Sequence, residues 1–132
     1  KNEKSYQKGF VLNSTGLIGQ ILRDHANSYE LILLSDIDHK IPIYNKDLDV
    51  YCNAEGSGFE RLIICKSSKD LDMGSIIGQE FYTSGFGGVF NKDMPVGKVI
   101  SFTQVEDNEY EISIEIFANP LTDERVYLFK SA

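Results

Sequence analysis

The segment Tyr110-Glu-Ile-Ser-Ile-Glu-Ile-Phe117 alternates without a break: Tyr110, Ile112, Ile114 and Ile116 fall on one side, Glu111, Ser113 and Glu115 on the other. A period of two sends successive side chains to opposite faces, so this is a strand with one face in a core and one in water. Nine further segments read as strands: Gly9–Asn13, Leu17–Arg23, Tyr29–Ser35, Lys40–Asn45, Asp49–Asn53, Arg61–Lys66, Ile76–Thr83, Val96–Val105 and Arg125–Lys130. Turn-forming runs separate them, among them Asn13-Ser-Thr-Gly16, Asp24–Ser28, Glu55–Gly58, Glu106–Glu109 and Asn119-Pro120. No window holds a helical apolar period for more than a turn or two; only Lys1–Lys8 reads as the tail of a helix, or as a disordered lead. Short strands at roughly 8–13 residue spacing predict an all-β fold of small antiparallel barrels with little helix.

The 132 residues suffice for one ordinary domain or two very small ones. An internal echo favours two. Gly16-Leu-Ile-Gly-Gln-Ile-Leu22 followed by Tyr29-Glu-Leu-Ile-Leu33 is answered by Pro95-Val-Gly-Lys-Val-Ile100 followed by Tyr110-Glu-Ile-Ser-Ile114. In each, a glycine opens a strand and a Tyr-Glu pair begins the returning one, although alternation shared by all hairpins is the other source of such an echo. The expected division is residues 9–68 for a first barrel and 69–132 for a second, broken near Ser67–Asp72, with terminal strands free to cross between them.

A net charge of −7 argues against a nucleic-acid surface and a polybasic membrane patch, both of which need clustered Lys and Arg. The longest apolar run, Leu31-Ile32-Leu33-Leu34, is strand-sized, far short of the roughly 18 residues of a membrane span. The start at Lys1, without Met or a signal-peptide apolar region, reads as part of a longer protein. Cys52 and Cys65 lack zinc-site spacing and read as two buried free thiols, with pairing across the Glu55–Gly58 hairpin as the alternative.

The stretch Thr83-Ser-Gly-Phe-Gly-Gly-Val-Phe-Asn-Lys-Asp-Met-Pro-Val-Gly97 raises the question of chemistry. A double barrel with Ser84 in a glycine-rich loop invites comparison with the two-barrel serine proteases of the chymotrypsin class. Their nucleophile stands inside Gly-Asp-Ser-Gly-Gly; here Phe86 takes that position and Ser84 falls two residues early. A triad also needs a base held by a carboxylate, whereas His25 and His39 sit in polar contexts that read as surface. A phosphate loop would need a following Lys-Ser/Thr and a helix start, which are absent. Asp36, Asp38 and His39, like Asp70 and Asp72, read as solvated turns rather than converging metal ligands. No catalytic, cofactor or metal residue is therefore assigned. Gly85, Gly87 and Gly88 read as backbone geometry. Phe86, Val89 and Phe90 read as apolar plugs pinning the loop, and Pro95 as the first residue of an edge strand.

Thr83-Ser-Gly-Phe-Gly-Gly-Val-Phe90 with Met94-Pro-Val-Gly-Lys-Val99 resembles the signature of MreC, the bacterial rod shape-determining family. Leu12-Asn-Ser-Thr-Gly-Leu-Ile-Gly-Gln-Ile21, Leu33-Leu-Ser-Asp36 and Lys40-Ile-Pro-Ile43 resemble it in the same order. The chain departs from the pattern at Asn91 and Asp93, where the family usually has proline and glycine, and at Gln79, where it usually has an acidic residue. The resemblance implies a non-enzymatic scaffold of the cell-wall elongation machinery on the outer face of the cytoplasmic membrane. It implies anchoring by a helix N-terminal to this region and a coiled coil ending at Lys1–Lys8. It also implies binding to MreD, MreB and the class-B transpeptidase (a penicillin-binding protein) that works with RodA, self-association, and an oxidising compartment that favours a Cys52–Cys65 pair. The expected partner-contact loop comprises Thr83, Ser84, Gly85, Phe86, Gly87, Gly88, Val89, Phe90, Pro95 and Gly97, with Phe86 and Phe90 serving as either core or contact. Rival readings are a module binding peptidoglycan fragments and a serine hydrolase.

Overall fold

A computed structural model describes residues 9–68, 73–122 and 125–130. Its strands are β1 (Gly9–Asn13), β2 (Gly16–Asp24), β3 (Tyr29–Leu33), β4 (Lys40–Asn45), β5 (Val50–Gly56), β6 (Leu62–Ser67), β7 (Glu80–Thr83), β8 (Pro95–Glu106), β9 (Glu109–Ile116) and β10 (Tyr127–Lys130). A one-turn helix, Met73–Ile76, and a 3₁₀ turn, Phe86–Gly88, complete the described elements. The all-β expectation holds. In β9 the outer residues of the alternation are half-exposed while Ile112 and Ile114 are fully buried. The strand expected over Ile76–Thr83 begins instead with the helical turn and Gly78, and Lys1–Lys8 lies outside the described residues.

Six antiparallel strands close a barrel in the order β4-β5-β6-β9-β8-β7, and β10-β1-β2-β3 form a four-stranded sheet. This corrects the expected division: the chain enters the barrel at β4, not after residue 68, and returns to the first sheet at β10. Of the two units, only the β4–β9 unit closes among the described residues. β8 is no edge strand, because it pairs with both β7 and β9. The echo between the two halves corresponds to real hairpins, β2–β3 and β8–β9, one in each sheet. Gly19 and Gly97 do the same work in them. A Cβ at Gly19 would lie 2.2 Å from the Ile32 carbonyl oxygen, and one at Gly97 would lie 2.3 Å from that of Glu115.

Sheet and barrel share one apolar core. Phe10, Val11, Leu17, Ile18, Ile21 and Leu34 from the sheet segment pack in one cluster with Ile41, Ile43, Phe81, Val96, Ile112 and Ile114 from the barrel. Burying each such side chain contributes about 1.5–3 kcal/mol, enough to hold two small units together as one body.

Cys52 on β5 and Cys65 on β6 form a disulfide, which corrects the expectation of free thiols. Antiparallel pairing of β5 with β6 brings their Cα atoms to 5.9 Å, within bridging distance. Closing a loop across a sequence separation of 13 contributes about 3 kcal/mol by restricting the unfolded chain. Replacement of both cysteines by Ser is expected to lower unfolding stability by about 2–4 kcal/mol, read by urea denaturation against the oxidised parent.

His39 also departs from the expected surface position. It is fully buried rather than at the surface, and its Nε2–H donates to Gln20 Oε1 on β2 at 2.8 Å. Its Nδ1 is the buried side-chain atom without a hydrogen-bond partner among the described residues. Burial pushes the imidazole down to about 4 from 6.5, opposed by the Asp36 carboxylate. The folded state therefore holds His39 neutral, while the unfolded chain takes up a proton below pH 6.5. Stability is present above pH 6.5 and lost as pH falls toward 4, a loss of about 3 kcal/mol for the shift. Denaturation series at pH 7 and pH 4.5 are expected to show this acid-linked loss in the parent and a smaller one in His39→Met.

Candidate functional site

The glycine-rich loop leaves the barrel at the end of β7 and re-enters it at β8. Thr83 closes its base. Its N–H donates to the Met94 carbonyl at 2.9 Å and its own carbonyl accepts from Asp93 N–H at 2.8 Å. Its hydroxyl donates to the Asn91 carbonyl at 2.5 Å and accepts from Met94 N–H at 2.8 Å. Ser84 is buried, donates its N–H to the Pro42 carbonyl on β4, and accepts Phe86 N–H at its hydroxyl. Gly85, Gly87 and Gly88 take φ values of 83°, 85° and 76°, a left-handed run that other residues adopt only with strain.

The two loop phenylalanines have opposite fates. Phe90 is buried, its ring centroid 6.3 Å from Phe10 of β1 and 6.1 Å from His39, the latter edge-on. Phe86 is 63% exposed and stacks on Tyr51 of β5 at 5.8 Å with planes 14° apart. Tyr51 in turn stacks on Tyr44 of β4 at 5.3 Å. Strand register places Tyr44 opposite Tyr51 on one side and opposite Tyr82 of β7 on the other, so three adjacent strands carry an aromatic row across the outside of the barrel.

Charge surrounds that row. Lys92 Nζ lies 5.9 Å above the Tyr44 ring, and the Tyr44 hydroxyl donates to Asp93. That hydrogen bond, with the nearby carboxylate charge and burial, pushes the Tyr44 phenol up to about 12. Tyr82 donates to Glu80 at 2.9 Å, which raises its phenol in the same way. Tyr44, Asn45, Gln79, Glu80, Tyr82 and Asp93 line a cleft of about 580 Å³ beside the row.

Asp93, one of the departures from the signature, takes a left-handed φ of 70°, and its carboxylate accepts the Tyr44 hydroxyl. Gln79 Oε1 accepts Asn45 Nδ2–H at 3.0 Å, as a carboxylate oxygen in its place would. Pro95 is exposed and pairs with Tyr82, Gly97 is buried against β9, and Val89 is half-buried. The expected contact residues thus divide: Phe86, Gly87, Gly88 and Pro95 face solvent, while Thr83, Ser84, Phe90 and Gly97 build the loop and the core behind it.

The side chains weighed for chemistry do not converge. His25 Nε2 contacts Glu30 at 2.9 Å, His39 faces Gln20, and Ser84 receives the backbone of Phe86. Asp36 and Asp38 are exposed while His39 is buried, and no group of three His, Cys, Asp or Glu residues is placed to hold a metal ion among the described residues.

The family described as "Rod shape-determining protein MreC, barrel core" matches residues 2–130. The chain belongs to the MreC family. It is 31% identical over 124 residues to the cell shape-determining protein MreC of Haemophilus influenzae, covering 92% of this chain and 33% of that protein, and so spans about a third of that relative's length. The crystal structure of MreC from Pseudomonas aeruginosa superposes with a TM-score of 0.77 at 21% identity, over 94% of this chain and 79% of that one. MreC from Helicobacter pylori, solved in complex with a penicillin-binding protein (PBP2), superposes with a TM-score of 0.69 at 16% identity, over 99% and 82% of the two chains. At these identities the two structures establish the shared fold.

The MreC signature loop is therefore built by one phenylalanine that fixes it and one that it displays. Phe90→Ala is expected to cost about 3–5 kcal/mol of stability, and Phe86→Ala to stay within about 0.5 kcal/mol, both measured by chemical denaturation.

Proposed function

We propose that this barrel core is a docking module of the cell-wall elongation machinery, binding the class-B transpeptidase through the aromatic row beneath the signature loop. The observation that carries the reading is the Phe86–Tyr51 stack, exposed on the barrel face over the buried Tyr44 ring and presented by a loop tied at Thr83. Aromatic anchors of this kind supply much of the affinity at protein interfaces. The PBP2 complex of the Helicobacter pylori relative supports the choice of partner class. The module acts by binding one conformation of the transpeptidase more tightly than others, which shifts its population without chemistry of its own. In the longer protein, an N-terminal membrane anchor and coiled coil would bring MreD, MreB, RodA and further copies of the chain into the same assembly. The Cys52–Cys65 disulfide supports a location on the outer, oxidising side of the cytoplasmic membrane.

Binding to a purified class-B transpeptidase ectodomain, followed by biolayer interferometry, tests the reading. Phe86→Asp and Tyr51→Asp are expected to weaken the complex at least about tenfold, equivalent to about 1.4 kcal/mol, while remaining folded because both side chains are exposed. Gly87→Asp should act in the same direction by straining the φ of 85°. Parental affinity in all three variants would remove the loop from the interface, and a folded parent that binds no transpeptidase would remove the docking reading.

The cleft lined by Tyr44, Tyr82, Glu80 and Asp93 favours a second reading, a site for a peptidoglycan fragment, since aromatic and carboxylate side chains together suit polyhydroxylated ligands. Muropeptide titration by NMR, with shifts confined to those residues, would support it; unchanged spectra would exclude it.

A further inference from the structure

The most exposed large apolar side chains among the described residues lie elsewhere. Leu121 is 78%, Phe59 72% and Ile37 70% exposed, and all three converge with Leu33 and Pro120 on one groove of about 450 Å³. None of these residues belongs to the signature loop or its aromatic row. The groove is assembled from three separate turns, after β3, between β5 and β6, and after β9.

Each turn is held firmly in place. Gly58 N–H donates to the Ser35 carbonyl at 2.9 Å, and Gly56 N–H to the His39 carbonyl at 3.0 Å. A Cβ at Gly56 would lie 1.9 Å from the Asp36 carbonyl oxygen, so glycine alone lets the Ile37 turn sit against the β5–β6 hairpin. Phe59 N–H donates to Ser57 Oγ at 3.0 Å, which itself donates to the Leu62 carbonyl at 2.7 Å. Leu121 N–H donates to Asn119 Oδ1 at 3.0 Å, and Asn119 is held from below by Thr15 Oγ1 on its N–H at 2.7 Å and Asn13 Nδ2–H on its carbonyl at 2.9 Å. Exposed apolar side chains on fixed turns lose little further freedom on binding, which is the condition for a preformed docking site.

The groove's charge has one sign. Asp36 and Glu60 line it, and among the described residues no Lys or Arg does; the guanidinium of Arg61, which lines the adjoining cavity, donates to the Ile116 and Phe117 carbonyls. A second copy of this chain, with its net charge of −7, would add acidic surface to an acidic rim. We propose that this groove docks a segment of a partner protein that carries two or more large apolar side chains flanked by lysine or arginine. Apolar insertion would supply affinity, and the carboxylates would select the basic flanks. The surface is independent of the transpeptidase reading, because the two share no residue.

A random 12-residue peptide display library, selected on the folded 132-residue chain, tests this, with the enriched peptides measured by fluorescence anisotropy. The expected peptides combine large apolar residues with flanking Lys or Arg. They should lose at least about tenfold in affinity, equivalent to about 1.4 kcal/mol, to Phe59→Ser and Leu121→Ser. They should also weaken with Asp36→Asn plus Glu60→Gln and with rising salt. Circular dichroism checks that each variant is folded. The proposal is overturned if no peptide is enriched, if the enriched peptides lack basic residues, or if they bind Phe59→Ser as well as the parent. Concentration-dependent self-association that Phe59→Ser abolishes would assign the groove to a second copy and overturn it as well.

Discussion

Phe90 sits where the two sheets meet, its ring between Phe10 of β1 and the edge of His39 at the start of β4. The four-stranded sheet buries Phe10, Val11, Leu17, Ile18 and Ile21 in a core shared with the barrel, and Phe90 fills part of the seam between them. Phe90 comes from the signature loop and is placed by the hydrogen bonds of Thr83, so the loop's shape and the union of the two sheets are one packing problem. His39 completes the seam with a single polar link to Gln20 on β2, tolerable in that setting only while the imidazole is neutral.

From that anchor the displayed surface follows. With Phe90 fixed and Ser84 bonded to β4, the left-handed glycines turn the chain outward and leave Phe86 over Tyr51. The tyrosine row below is a product of register: antiparallel pairing sets Tyr51, Tyr44 and Tyr82 side by side on β5, β4 and β7. Stacking then runs from loop to barrel wall, so the loop tip is held by the face it belongs to. A surface preformed in this way spends little interaction energy on ordering itself when it binds.

The strands were legible because period-two alternation is a local property, and nine of the ten lie close to their expected limits. The exception, Ile76–Thr83, carries apolar residues on both sides of Gly78, and alternation alone does not separate a short helical turn from a strand start. The hairpin echo was legible too, because Gly19 and Gly97 meet the same steric demand against the facing strand. Long-range pairing was not legible. Closure of β4 on β7, and the return of β10 to β1, join residues far apart in sequence, which put the expected domain boundary in the wrong place. For the same reason Tyr44, Tyr51 and Tyr82 gave no signal as a group, although each is an outward residue of its strand. His39 was misread because Asp38 and Lys40 beside it do face water, while the strand start turns its own ring inward. Cys52 and Cys65 could be bridged or free until the pairing of β5 with β6 was known.

The claim that the signature loop and the aromatic row form the partner-binding face is tested most directly by hydrogen–deuterium exchange of this chain with and without the class-B transpeptidase ectodomain. Slowed exchange across Thr83–Gly97 and in β4 and β5 is the predicted result. A stable complex in which those segments exchange as fast as in the free chain, with protection elsewhere, would contradict it.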